Sequence, residues 1–138
     1  MEIFNVRNER EHVRVELKGF EEDDPYDGQL LQVMIDLKCG TFRILKDERT
    51  SQKLVRAFYE ALRQSNENLE GTVSFSTIGH EMILNLTYEK VGKVQVECYW
   101  NDYGLGSIAI KAEFTTDQTF ITAALQGVEE YLALYGDH

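Results

Sequence analysis

Apolar and polar residues alternate along most of this chain, in runs of strand length. In His12–Lys18 the apolar positions are Val13, Val15 and Leu17, with Arg14 and Glu16 between them. Leu31, Val33, Ile35, Leu37 and Cys39 alternate with Gln32, Met34, Asp36 and Lys38. Gly40 then permits a reversal into Thr41–Leu45, where Phe42 and Ile44 share a face. A period of two sets one face of a strand against a core and the other in water. Ile3–Val6 is a weaker strand ahead of these. Four more follow later in the chain, on Val73 and Phe75, on Met82–Tyr88, on Val94–Trp100 and on Ile108–Phe114. The connections holding Gly79, Gly92 and Gly104/Gly106 are short, which predicts antiparallel meanders.

Two stretches change to helical spacing. Leu54, Phe58, Ala61 and Leu62 recur on one face, with Val55 and Ala57 beside them, and Asp47 or Thr50 is the expected cap. Arg49, Lys53, Arg56 and Arg63 form a basic stripe opposite, the solvated side of an amphipathic helix. The second helix places Ile121, Ala124, Leu125, Val128, Leu132 and Tyr135 together, behind Asp117 as N-cap. Gly136 is expected at its end in the left-handed conformation. Gly127, costly inside a helix, suggests close packing or a mild bend. The order is four strands, helix, four strands, helix: an α+β fold of antiparallel sheet with two amphipathic helices packed on it. No linker interrupts residues 1–138, so a single domain is expected. The halves match in pattern without a residue-level match, which leaves an internal duplication open.

Composition agrees with a folded core. The 138 residues are 43% hydrophobic, with seven Phe, seven Tyr, one Trp and a single proline, Pro25; disordered chains lack such content. Charge changes the picture more. Fourteen basic residues against 24 acidic ones leave a formal −10. Affinity for nucleic acid comes largely from Lys and Arg on phosphates, so a nucleic-acid binder is excluded, and docking on anionic membrane with it. A basic protein is the partner such a charge steers in. The first residues, from Met1 to Arg7, lack the pattern of a signal peptide, and no run is long enough to span a bilayer. The expected compartment is the cytoplasm, where Cys39 and Cys98 read as buried free thiols.

Catalytic chemistry finds little support. His12 opens a strand, His80 lies in a turn and His138 is the last residue, so none is spaced for a metal. No Cys-x-x-Cys, His-Glu-x-x-His, calcium-loop or Gly-x-Ser-x-Gly pattern occurs. Gly104-Leu105-Gly106-Ser107 opens a strand rather than a helix and reads as a hairpin turn. Asp117 is a cap, and Glu129-Glu130 is helix surface. No catalytic residue, metal or cofactor is expected. Carboxylates converging in a deep pocket would be needed to revive an enzyme.

Two segments suit recognition. Gly19–Gly28 is read as a loop holding Glu21, Glu22, Asp23, Asp24 and Asp27 with Phe20 and Tyr26, charge and aromatic anchors suited to an Arg/Lys-rich site. Its plainer reading is a solvated loop without a role. In the second, Trp100 keeps the inward parity of Val96 and Cys98. Tyr99 and Tyr103 face outward or into the turn beside Asp102, where aromatic residues favour interfaces. All seven arginines precede residue 71, and beyond it nine acids face three lysines, so the later sheet is expected to present an acidic face.

One stretch resembles a known family. Gly106–Phe114 running into Thr115-Thr116-Asp117-Gln118-Thr119-Phe120 is a strand leading to an Asp-Gln-capped helix. With Leu69-Glu70-Gly71-Thr72-Val73, it resembles the WapI family of bacterial immunity proteins. Those are small cytosolic proteins that neutralise the toxin domain of a contact-dependent wall-associated protein, a device of bacterial competition. The resemblance spans residues 69–135, and the earlier strands fit only in pattern. It implies direct binding of a toxin domain, typically a nuclease, without catalysis, and it brings no site motif. The alternative is a binding module of another kind, a secretion chaperone or adaptor. Such chaperones open on a helix, whereas a strand is expected here. The residues set no oligomeric state.

Overall fold

A computed structural model describes residues 1–102 and 108–136. Tyr103, Gly104–Ser107, where a turn was expected, and His138 lie outside the described residues, as does the side chain of Asp102. The order is β1 (Glu2–Arg7), β2 (His12–Asp24), β3 (Gly28–Cys39), β4 (Phe42–Ser51) and α1 (Gln52–Asn68). It continues with β5 (Thr72–Ser76), β6 (Met82–Tyr88), a short 3₁₀ turn (Lys90–Gly92), β7 (Lys93–Asp102), β8 (Ile108–Asp117) and α2 (Gln118–Tyr135). The strands form two antiparallel sheets, β1-β2-β3-β4 and β5-β6-β7-β8. The expected α+β order is the observed one.

Each sheet turns its alternating apolar face to a common core. Val13, Val15, Val33 and Ile35 of the first sheet join Leu84, Leu86, Val94 and Val96 of the second in one buried cluster. Phe4, Phe58 and Phe75 tie β1, α1 and β5 together, with ring centroids 4.8–5.4 Å apart. The helices are exchanged between the halves: α1, which follows the first sheet, packs on β5, and α2 packs on β1.

The starts of the two helices are built alike. Ser51 caps α1, its Oγ accepting from Leu54 N at 3.1 Å, and Asp117 caps α2, accepting from Thr119 N and Phe120 N. The next residue in each case is a glutamine that reaches the end of the opposite helix. Gln52 Nε2 donates to Tyr135 O at 2.7 Å, and Gln118 Nε2 donates to Asn66 O at 3.2 Å. The helices therefore run antiparallel, each N-terminal side chain satisfying a carbonyl that helix geometry leaves without a partner.

Several local expectations are corrected. The α1 cap is Ser51, not Asp47 or Thr50, because β4 continues six residues past Leu45. Arg49 accordingly lies on β4 rather than in the helical basic stripe, and Ala61 is exposed rather than core. In α2 the buried Tyr131 joins the apolar face. Gly136 sits at φ −65°, outside the left-handed region; glycine fits there because a Cβ would come within 2.3 Å of Leu132 O. At Gly127 a Cβ would find only Glu2 Oε2 at 3.8 Å, so close packing does not explain that residue. Cys98 is a buried free thiol, pushed up to about 12 by burial. Cys39 is only half-buried, and its Sγ donates to Glu11 Oε2 at 3.1 Å.

Candidate functional site

The acidic segment expected as a loop is mostly strand. β2 continues through Asp24 and pairs with β3 as far as Asp24↔Gly28, forming a long hairpin arm with irregularities between Leu17 and Gly19 and between Phe20 and Asp23. Only Pro25, Tyr26 and Asp27 connect the strands. Asp24 Oδ1 accepts from Tyr26 N (2.8 Å) and Asp27 N (3.0 Å), and Gly28 at φ 72° closes the turn. Asp24 is thus engaged in holding the arm's own tip, the usual work of an aspartate in a turn.

The other members of the segment divide by surroundings. Glu21 accepts from Gln32 Nε2 at 2.8 Å and from Arg49 Nη2 at 2.6 Å. The Gln32 bond, with Arg49 after it, holds its carboxyl below the usual glutamate range. Phe20 leans on Tyr135 of α2, with ring centroids 5.6 Å apart, and so anchors the arm inward. Glu22 and Asp23 are exposed, Asp27 is half-buried, and Tyr26 projects with 85% of its surface in water.

At the base of the arm lies a cleft of about 570 Å³, bordered by Glu21, Asp47, Glu48, Glu81, Lys18 and Arg49. Beyond the Glu21–Arg49 pair it adjoins a hollow of about 500 Å³ lined by Glu22, Asp23 and Asp24. Seven carboxylates therefore border this surface against one lysine and one arginine. Asp47, Glu48 and Glu81 were not among the residues expected from sequence. The extra length of β4 brings in the first two, and the β5–β6 connection brings in Glu81.

Glu48 joins the cleft to the core. It is 8% exposed, accepts from Trp100 Nε1 at 3.1 Å, and lies 3.4 Å from Lys46 Nζ, which also reaches Glu81 at 3.4 Å. Burial raises its pKa, and Lys46 and the indole N–H offset this in part. Burial of a carboxylate carries this cost unless partners compensate.

Tyr99 belongs to another surface. It lies on the outer face of β7, where its hydroxyl donates to Glu97 Oε2 at 2.6 Å and Lys111 Nζ lies 5.5 Å from the ring centroid. The partners of Glu21 are on the first sheet and those of Tyr99 on the second, so Glu21 and Tyr99 belong to different clusters. Trp100 points into the core, 3% exposed, as its parity predicts.

Among the described residues, no group of three His, Cys, Asp or Glu is placed to hold a metal ion. No described helix is long and apolar enough to cross a membrane. What the site offers is a carboxylate-rich concave surface beside a protruding aromatic, the equipment of a protein that binds. The model of the immunity protein WapI-like family matches residues 3–136, and the chain belongs to that family. No curated protein matches the chain, and no solved structure does.

Proposed function

We propose that this protein neutralises a nuclease-type toxin domain by binding it directly, setting the acidic cleft and the β2–β3 arm against the toxin's basic, phosphate-binding surface. It acts in the cytoplasm of the cell it protects and carries out no chemistry itself. Family membership supports the protective role. The observation that carries the mode of binding is the excess of carboxylates around the cleft, with Glu22, Asp23 and Asp47 exposed and ready to meet cations. A nuclease must gather Lys and Arg at its phosphate site, and a surface of opposite sign both speeds encounter and excludes substrate.

The test is co-purification with its cognate toxin domain, in a catalytically silenced form. The complex is expected to weaken about tenfold or more as salt rises from about 0.05 to 0.5 M. Changing Glu22, Asp23 and Asp47 together to lysine is expected to weaken it by at least as much. Binding that ignores both salt and the triple change would overturn the acidic-cleft mode.

A further inference from the structure

The first sheet turns one face to the core and leaves the other bare, since both helices direct their apolar residues inward. Charge on that bare face is sorted along the strands. At the end nearest the β1–β2 connection, sheet register sets Arg7 beside His12, His12 beside Lys38 and Lys38 beside Arg43. Three permanent cations and a histidine thus form one row across four strands, in a chain whose formal charge is −10. Like charges opposed across strands work against folding, so such a row needs a counter-charge. Asp36 provides one: its side chain is 2% exposed, and His12, Arg14 and Arg43 each come within 3.2 Å of its carboxylate. Arg14 also reaches Glu16 at 3.0 Å, and Arg7 lies over the Phe120 ring. Among the described residues no carboxylate pairs with the exposed Lys38. One buried aspartate does not neutralise this end.

The opposite end of the same face carries the opposite sign. Glu21 is bonded there to Gln32 and Arg49, both exposed, and the acidic cleft and the arm with Glu22 and Asp23 adjoin it. Between the two ends lie Met34, half-buried, and Leu45, 58% exposed. Along β3, Lys38 stands about 33 Å from Gly28 at the usual rise of a strand. A face that is positive at one end, negative at the other and partly apolar between is complementary to itself when reversed. A two-fold rotation then sets each basic end on the other copy's acidic arm, and the assembly closes at two. Four strands of that length offer roughly 1,000–1,200 Å² in total, the low end for a specific interface.

We propose that this protein forms a weak two-fold dimer through the outer face of its first sheet, the Lys38 and Arg43 end of one protomer meeting the acidic β2–β3 arm of its partner. This goes beyond the toxin-binding reading, does not depend on it, and is tested without a toxin.

The experiment is sedimentation equilibrium of the full chain at low and high salt. A dimer with Kd on the order of 10 μM is expected at about 0.05 M salt, weakening about tenfold or more at about 0.5 M. Lys38→Glu, and separately Glu22→Lys with Asp23→Lys, are each expected to raise Kd about tenfold or more. These positions are exposed, and thermal melts check that the variants stay folded. When the two variants are mixed, both contacts again join opposite charges, and a mixed dimer is expected to form within about threefold of the original Kd. The proposal is overturned by a chain that stays monomeric about tenfold above that Kd. Variants that dimerise unimpaired, or a mixture that stays monomeric, would overturn it as well.

Discussion

The two halves of the molecule share a scaffold and differ in what they present. Each is a four-stranded meander followed by a helix, and each helix opens on Thr-Ser-Gln or Thr-Asp-Gln, at Thr50-Ser51-Gln52 and Thr116-Asp117-Gln118. The threonines also act alike, Thr50 Oγ1 donating to Ser76 O and Thr116 Oγ1 to Arg7 O, each at the strand the other half supplies. Divergence lies in the second hairpin. β2 and β3 have 13 and 12 residues and reach out as an acidic arm, whereas β6 has seven and meets β7 through a tight turn. What the halves keep in common holds the sheets together, and what they do not share is available for recognition.

The largest test of that division compares the two glutamines. Gln52 is 3% exposed, and its Oε1 also accepts from the buried Tyr131 hydroxyl at 2.7 Å. Gln52→Leu removes the acceptor of that hydroxyl and the bond to the Tyr135 carbonyl together, and is expected to cost about 2–4 kcal/mol in denaturant unfolding. Gln118 is exposed and makes a longer bond, so Gln118→Leu is expected to cost less than about 1 kcal/mol. Equal losses would mean that the halves are equivalent after all.

The outer faces of the sheets offer the next contrast. Asp36, with its side chain 2% exposed, accepts from both Arg14 and Arg43 and sits 3.2 Å from His12 Nε2. Burial works against its charge, but the Arg43 and His12 bonds outweigh it and the carboxyl titrates below the ordinary aspartate range. A carboxyl lowered in the folded state contributes stability above its unfolded pKa, and that contribution is lost as pH falls through the folded one. Asp36→Asn is therefore expected to cost about 2 kcal/mol at neutral pH. Its unfolding curve should converge with that of the unaltered protein only at strongly acid pH. The matching cluster on the second sheet, Lys111 with Glu97 and Glu113, is solvent-screened; Lys111→Met is expected to leave the denaturant midpoint nearly unchanged.

The last contrast concerns the short hairpin. Val91 is 96% exposed at φ 65°, a conformation β-branched residues resist, and Gly92 follows at φ 75°. Val91→Asn is expected to stabilise the protein by about 1 kcal/mol. A melting temperature unchanged or lowered would show that the turn is not strained.

The fold was legible because strand alternation and helical spacing agreed along the chain. The misreadings fall where parity continued but hydrophobicity did not. Past Leu45 the inward positions of β4 are Lys46, Glu48 and Thr50, so the strand looked finished, although Glu48 is buried against Trp100. Past Lys18, register shifts and a run of acids hid the continuation of β2. The acidity of residues 21–27 was visible. That Glu21 is engaged by Arg49, and Asp24 by its own turn, was not. Nor could spacing show Asp47 and Glu81 joining the same cleft, since residues far apart in sequence meet there only through sheet pairing and the β5–β6 connection.

The most direct measurement is protection in living cells. The cognate toxin domain is expressed in active form together with either this protein or its Glu22/Asp23/Asp47-to-lysine variant, at equal protein levels. Survival with the first and loss of survival with the second is the expected result. Equal protection by both, with the variant folded, would contradict the claim that the acidic cleft is where this protein meets its toxin.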